Sequence, residues 1–386
     1  MARRGAFRLV LRALNWSGGG GGGNANAGVS APSPSRRLFG AGFVCGSVLG
    51  SFGCALIVHW TRRPQDEEKA EGELLEDNLL EKFGLPLLGS DVRYCTNHIS
   101  SYDQAKRTPR WVLEHITKEK VQGTADRKHC KFKPDPTVSP CFSATNEDYF
   151  NSGWSRGHMV PAGDNKYSLK AMAETFYLSN IVPQNYENNA GFWNRLEIYC
   201  RDLTQRYKDI WVISGPLTLP TTGADGKKTV TYEVIGSNEV AVPTHLYKVI
   251  LAQKDSASSA PLSLGAFVVP NEPIGFDHQL AEYQVNLQTL EKMAGLTFFP
   301  VLDKTSQCCD LCEADTCRML DAREFTLYVA ARKVRSARTL HRLETVMGEL
   351  RENGIQPDKY LADLYQQKKQ EVELKEPSEN QAAKGG

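Results

Sequence analysis

The first 65 residues contain no acidic side chain, because Asp66 is the first Asp or Glu, yet they carry eight arginines and no lysine. The rest of the chain has 38 basic and 45 acidic residues and thus a net charge of −7, against +1 for the whole. A mildly acidic body does not bind a polyanion through bulk charge. Nucleic-acid binding by the body therefore requires a local patch of basic side chains.

The signatures of several common enzyme classes are also missing. The sequence has no glycine-rich phosphate-binding loop, no His-Glu-x-x-His, no Gly-x-Ser-x-Gly and no internal repeat. Ten cysteines in 386 residues are too few for a disulfide-rich miniprotein. The length suits one large or two modest globular domains.

Residues 1–37 have the pattern of a mitochondrial presequence followed by a flexible segment. The first 14 residues are free of acids, and arginines alternate with apolar side chains at helical spacing. A disordered basic tail is the alternative. Six consecutive glycines from Gly18 to Gly23 then predict a flexible spacer. The arginines are Arg3, Arg4, Arg8 and Arg12.

Residues 38–60 carry no formal charge and lie between two arginine pairs. At about 1.5 Å per residue, a helix of this length spans roughly 34 Å, enough for a bilayer core of about 30 Å. We therefore expect a single transmembrane anchor, in the inner mitochondrial membrane. A buried helix of a soluble domain is the alternative, but the many glycines disfavour it in water. Residues 61–78 are polar and predict a linker.

Residues 79–305 predict one α+β domain with a mixed, largely antiparallel central sheet. A helix pattern covers residues 189–207, where apolar side chains recur every three or four positions and predict a face packed on the sheet. That face consists of Phe192, Leu196, Cys200, Leu203 and Tyr207. Strand patterns cover residues 111–115, 175–183, 210–214, 229–235, 244–252 and 264–269.

Two polar motifs suit phosphodiester hydrolysis. Ser155-Arg156-Gly157-His158 offers a guanidinium and an imidazole, and His is unprotonated near neutral pH at its usual pKa of about 6.5. Asn189 follows 31 residues after the histidine and offers an amide oxygen, a ligand suited to Mg²⁺. On an ideal helix Glu197 lies about 12 Å further along the axis and about 80° around it. Its carboxylate is placed to hold metal-bound water instead of sharing Asn189's position.

Together, Arg-Gly-His, the strand after it and Asn-x-x-x-Trp-x-x-x-Glu on a helix resemble the DNA/RNA non-specific endonuclease family, whose members carry a ββα-metal finger. The resemblance runs from about Phe83 to Tyr360 and includes the mitochondrial endonuclease G-like branch of exo/endonucleases. It implies that His158 is the general base and Asn189 the single protein ligand of Mg²⁺, with Mn²⁺ as a substitute. It also implies a role for Glu197 beside the metal and for Arg156 beside the scissile phosphate.

Further basic side chains are candidates for contact with the substrate backbone. The family has an arginine about thirty residues before the histidine, on a strand facing phosphate, and we match it to Arg127. An exposed basic turn is the alternative for this residue. Lys166 and Arg195 complete the predicted substrate-binding set. The family motif usually begins with Asp, and Ser155 in its place puts full activity or end preference in question.

Residues 306–370 predict a helical wing, and the charged residues 371–386 predict a disordered tail. One wing helix has an apolar stripe that stops at Asn353-Gly354, and Pro357 opens another. The resemblance implies that the wing restricts the groove and favours processing from a 5′ end, whereas a simple buttress is the alternative. Four cysteines at the start of this region lack the spacing of paired zinc knuckles, so redox pairing also stays open. They are Cys308, Cys309, Cys312 and Cys317.

These observations predict a membrane-tethered mitochondrial nuclease that cuts DNA and RNA without base readout and acts in DNA repair or turnover. The resemblance also implies a homodimer. An apoptotic nuclease of endonuclease G type is one alternative. A weakly active DNA-binding tether, motivated by Ser155, is an alternative of another class.

Overall fold

The computed structural model describes residues 92–255 and 260–382. Its strands are β1 (Val92–Tyr94), β2 (His98–Asp103), β3 (Thr108–Ile116), β4 (Ser155–His158), β5 (Ile181–Gln184), β6 (Asp209–Leu217), β7 (Thr221–Thr222), β8 (Lys228–Thr229), β9 (Val234–Ile235), β10 (Val240–Ala241), β11 (His245–Gln253), β12 (Leu262–Pro270) and β13 (Cys308–Asp310). Its α-helices are α1 (Asn146–Tyr149), α2 (Leu169–Glu174), α3 (Tyr186–Asn188), α4 (Asn194–Leu203), α5 (Leu287–Ala294), α6 (Leu311–Ala314), α7 (Ala322–Ser336), α8 (Leu340–Glu352) and α9 (Lys359–Ala382).

Seven strands form the central sheet in the order β1-β2-β3-β6-β11-β12-β13. Every neighbouring pair is antiparallel except β12 and β13, which are parallel. The α+β class and the largely antiparallel sheet predicted from the sequence are therefore confirmed. β3, β6 and β12 contain the predicted strand segments 111–115, 210–214 and 264–269, and β11 covers the predicted segment 244–252 except Thr244.

Two strand predictions were wrong in extent. Residues 229–235 do not form one strand: they supply the ends of two small hairpins outside the central sheet. Within residues 175–183 only Ile181 onward is extended, because a 3-10 turn, Leu178–Asn180, precedes β5. The pattern of alternating residues in these stretches was too short to separate strand from turn.

α4 packs against one face of the sheet, as its apolar stripe predicted. Phe192, Leu196 and Leu203 are fully buried, together with Ile210 and Ile250 from the sheet. The opposite face is covered by α5 and the segment after it, where Leu290 and Phe298 are buried. The sheet therefore has apolar layers on both faces, and the segment leading into α4 is firmly fixed.

The C-terminal helices α7, α8 and α9 form a wing with its own core. α7 also joins the wing to the sheet domain, because Phe325 and Val329 pack with Ile198 of α4. The tail differs from the prediction: α9 runs to Ala382, and Val372 is buried in the wing core. A boundary at residue 371 therefore falls inside a helix, because the apolar spacing continues past the last predicted turn.

Two of the four cysteines before the wing helices form a disulfide and two are free thiols. Cys312 and Cys317 form a disulfide, whereas Cys308 and Cys309 are free. The predicted presequence and the anchor at residues 38–60 lie outside the described residues. Within the described ranges, no helix is both long and apolar enough to cross a bilayer.

Candidate active site

A β-hairpin and a helix hold His158 and Asn189 in one small motif. β4 pairs antiparallel with β5, which places His158 opposite Ile181. The Asn189 amide Nδ2 donates to Ser155 Oγ at 3.0 Å, and Trp193 Nε1 donates to the His158 carbonyl at 3.3 Å. The helix is thus tied to both ends of β4, which is the ββα arrangement predicted for the finger.

Gly157 is required between the two functional side chains of β4. A Cβ at this position would lie 2.1 Å from Gln184 Oε1 and 2.6 Å from Gln184 Cβ. Any other residue would push β4 away from β5 and displace Arg156 and His158. The glycine of the motif therefore serves the close approach of the two strands.

His158 is held between two phenylalanine rings. Its ring centroid lies 5.2 Å from that of Phe132 and 4.9 Å from that of Phe176. An arginine contacts each phenylalanine ring. The Arg156 guanidinium lies 4.5 Å from the Phe132 ring centroid, and the Arg127 guanidinium lies 5.9 Å from the Phe176 ring centroid. The imidazole is therefore flanked by two cations that can bind phosphate oxygens.

The environment keeps the imidazole unprotonated. Burial, with the charges of Arg127 and Arg156, lowers the pKa of His158 from 6.5 to about 3. Its Nε2 is buried and has no hydrogen-bond partner among the described residues. A buried polar atom without a partner is unusual and indicates a missing ligand or water.

The helix that leads to Glu197 is not the regular α-helix assumed in the prediction. Asn189–Trp193 is a π-turn, which takes up one more residue than an α-turn. On idealised geometry this extra residue turns Glu197 back by about 100°, which places it about 20° from Asn189 instead of about 80°. Burial raises the pKa of Glu197 to about 7, against the lowering effect of Arg201 and Lys248.

The donor set fits a hard cation with few protein ligands. Because the amide nitrogen of Asn189 is used by Ser155, its oxygen is the atom left to coordinate a metal. Glu197 adds a carboxylate on nearly the same helix face. No cluster of three or more His, Cys, Asp or Glu suited to a metal occurs in the described ranges. Mg²⁺ commonly binds through one or two protein oxygens and keeps several waters.

Arg156 is fixed in place by a neighbouring loop. Its Nη1 donates to Asn146 Oδ1 at 2.6 Å, and Asn146 Nδ2 donates to the carbonyl of Phe132 at 2.9 Å. Burial lowers the pKa of Arg156, although the residue remains a cation at neutral pH. The guanidinium is thereby held beside His158 before any substrate arrives.

Arg127 is not on a strand, as the family pattern predicted, but in a 3-10 turn, Arg127–His129. Its positive charge nevertheless acts to lower the pKa of both His158 and Glu197. Partial burial and then the charge of Arg332, on α7, lower the pKa of Arg127. Arg127 therefore lies between the catalytic motif and the wing.

Lys166 also faces the wing. Partial burial lowers the pKa of Lys166, and the positive charges of Arg332 and Arg335 on α7 lower it further. Tyr328 lies among these cations: its pKa is lowered despite burial, because Arg201, Arg332 and Lys166 outweigh the desolvation. A basic cluster thus spans the junction of body and wing.

Arg195 does not lie in this cluster, contrary to the prediction that it binds substrate. It is 2% exposed, and its guanidinium donates to the carbonyls of Leu320 and Gly275. It also lies 4.5 Å from the Phe276 ring centroid. Arg195 therefore ties α4 to the segments that carry Gly275 and Leu320.

Several residues of the site were missed from the sequence. Phe132, Phe176 and Asn146 lie outside the two motifs, and Arg332 lies in the wing. The match of Arg127 to a family arginine indicated this part of the chain but not Phe132, which lies five residues further on. Contacts between distant segments, such as Asn146 with Arg156, have no local pattern in the sequence.

Comparisons with known proteins agree with this geometry. The family model for DNA/RNA non-specific endonuclease matches residues 76–305, and that for the endo/exonuclease (EXOG) C-terminal domain matches residues 320–368. The chain is 58% identical to human "Nuclease EXOG, mitochondrial" over 90% of this chain and 96% of that protein. It is 41% identical to human "Endonuclease G, mitochondrial", over 57% and 73%.

A solved structure shares the fold of the body. A chain from a crystal structure of an EndoG/EndoGI complex matches with a TM-score of 0.55 and 42% identity, covering 59% of this chain and 92% of that one. The match to the family model covers more than half of the chain. The chain therefore belongs to the DNA/RNA non-specific endonuclease family, whose members depend on a divalent metal ion.

Proposed function

We propose that this chain is a mitochondrial nuclease that hydrolyses phosphodiester bonds of DNA and RNA without base readout, with 5′-3′ exonuclease and endonuclease activity. The observation that carries the proposal is the ββα motif, which joins an unprotonated His158 and the amide of Asn189 through hydrogen bonds to one strand. DNA repair or turnover is the role that suits such an activity in mitochondria.

In the proposed reaction His158 is the general base. Its partnerless Nε2 accepts the proton of the attacking water, which the lowered pKa permits at neutral pH. Arg156 and Arg127 bind the non-bridging oxygens of the scissile phosphate from either side of the imidazole. Glu197, once ionised, accepts hydrogen bonds from ordered water on the same face of the helix.

Asn189 is the proposed protein ligand of the metal. A bound Mg²⁺, or Mn²⁺ in its place, supplies positive charge to the phosphate and to the departing 3′ oxygen. Ser155 orients the amide so that its oxygen is presented, and the hydroxyl itself donates to the Gln184 carbonyl at 2.7 Å. Because Ser155 itself orients the amide in place of the family's aspartate, we favour an active enzyme over a weakly active DNA-binding tether.

The exonuclease mode is proposed from the basic cluster at the wing. Positive charges lie close together at the junction: Lys166 and Arg127 on the body and Arg332 and Arg335 on α7. The phosphate at a strand end would neutralise these charges. This arrangement favours entry from the 5′ end over the open groove of an endonuclease G-type enzyme. Blocking the 5′ end of a short duplex should suppress degradation, and undiminished degradation would favour that alternative.

The cellular placement is part of the same proposal. Residues 1–37 would direct the chain to mitochondria, and residues 38–60 would anchor it in the inner membrane as a single span. A homodimer is proposed from the family resemblance. Carbonate extraction of mitochondria and light scattering of the purified body test the anchor and the dimer respectively.

The decisive test replaces the proposed base. His158→Ala should abolish metal-dependent cleavage while substrate binding is retained, because the two flanking arginines remain. His341→Ala, an exposed histidine on α8, is the matched control and should cleave normally. Undiminished cleavage by His158→Ala would contradict the assignment. Asn189→Ala should lose most activity at low Mg²⁺, and an unchanged metal titration would remove it from the site.

A further inference from the structure

A cavity adjoins Arg156 on the catalytic strand, and none of its lining residues comes from the wing. Its volume is about 380 Å³, within the range of small-ligand sites. It is open to solvent and combines two aromatic side chains, one cation, one carboxylate and two neutral amides. The lining residues are Asn146, Glu147, Tyr149, Phe150, Asn151 and Arg156.

Phe150 presents its ring at this cavity from an ordered turn. The side chain is 78% exposed. Its backbone N–H donates to the Glu147 carbonyl at 3.2 Å, and the Ser152 hydroxyl donates to the Tyr149 carbonyl at 3.0 Å. Asn151 next to it has the left-handed φ of 53°. The turn thus holds a large apolar surface in water, where a nucleobase can stack on it.

The polar groups of the cavity select a base over a phosphate. Tyr149 is 6% exposed, and its hydroxyl has no hydrogen-bond partner among the described residues, so it is left to bond a ligand or a water. The exposed carboxylate of Glu147 on the rim would repel a phosphate. Arg156 uses Nη1 for Asn146 and keeps other N–H groups for the backbone of the same nucleotide.

The strand polarity follows from the proposed function, on which this step rests. If the 5′ end lies at the wing beside Arg127, the strand passes His158 and continues towards Arg156. We infer that the cavity binds the base of the nucleotide on the 3′ side of the scissile phosphate, stacked on Phe150, with Arg156 holding that phosphate. The site accepts any base, because stacking uses the π-face that every base has.

The test uses oligonucleotides with a single cleavable phosphodiester among non-hydrolysable linkages. One substrate is intact, one is abasic directly 3′ of the cleavable bond and one is abasic directly 5′ of it. For the wild type, loss of the 3′ base should lower kcat/KM by about 5- to 100-fold, the range of a base–aromatic stack. Phe150→Ala should show the same loss on the intact substrate and little further loss on the 3′-abasic one.

The control is Tyr94→Ala, which removes an equally exposed aromatic side chain (79%) from the edge strand β1. It should cleave all three substrates as the wild type does. Equal rates for Phe150→Ala and wild type, or sensitivity only to the 5′ base, would overturn this inference alone. A wild-type protein that cuts none of the substrates would instead overturn the proposed function.

Discussion

The amide of Asn189 donates a 3.0 Å hydrogen bond to the hydroxyl of Ser155. The bond joins the first residue of β4 to the first residue of the π-turn, and it decides which end of the Asn189 amide can face a metal. We therefore propose Ser155 as a positioning residue. It would act on the proposed metal through Asn189 and does not itself need to contact substrate.

Ser155→Ala should weaken metal binding more than it weakens catalysis at saturating metal. Loss of one hydrogen bond costs about 1 kcal/mol, so the half-saturating Mg²⁺ concentration should rise about fivefold. Ser155→Thr keeps the hydroxyl and should restore most of the affinity. Rates measured across a Mg²⁺ titration check this, and an unchanged titration in Ser155→Ala would show that the bond does not orient the ligand.

The protonation of His158 gives a second prediction. In the metal-free protein its imidazole should not titrate between about pH 5 and 8, because its pKa is about 3. Below pH 6.5 the unfolded chain binds a proton at this position that the folded protein does not, so the free energy of unfolding falls as pH falls towards 3. NMR titration of the ring protons checks this directly, and a midpoint near 6.5 would contradict it.

One variant separates the effect of burial on the pKa of His158 from the effect of the neighbouring charges. Arg127→Gln removes the larger of the two cationic contributions and leaves the burial of the ring. The pKa of His158 should therefore rise but stay below 6.5. Lys128→Gln, on the neighbouring residue of the same turn, is the control and should leave the ring unaffected.

Arg195 should matter for stability and not for cleavage. Arg195→Met keeps the volume but removes the hydrogen bonds to the carbonyls of Leu320 and Gly275, and each such bond contributes about 0.5–1.5 kcal/mol. The free energy of unfolding should fall by about 1–3 kcal/mol, while the folded fraction keeps its specific activity. Urea denaturation and active-site titration check both. Normal stability with lost activity would return Arg195 to the substrate site.

The sequence predicted which short motifs the fold brings together. The motifs with Arg156, His158 and Asn189 meet at β4 and the π-turn, and helical periodicity predicted the buried α4 stripe. The direction of Glu197 was predicted for a regular α-helix, because a π-turn leaves no simple periodic signal. Arg195 was misassigned because its spacing cannot show whether a cation points to phosphate or to buried carbonyls.

The last prediction concerns Arg332 on α7, whose positive charge lowers the pKa of Arg127 and Lys166 on the body. Arg332→Gln should reduce the preference for a 5′-phosphorylated end over a 5′-hydroxyl end and lower the salt slope of binding by about 0.7–0.9. Internal cleavage of circular DNA should change little, because the catalytic motif keeps all its groups. Arg351→Gln, exposed on α8, is the matched control. If both variants lose the preference for the 5′-phosphorylated end, the effect is not specific to Arg332. If neither variant differs from the wild type, the wing is a buttress and not an end-binding element.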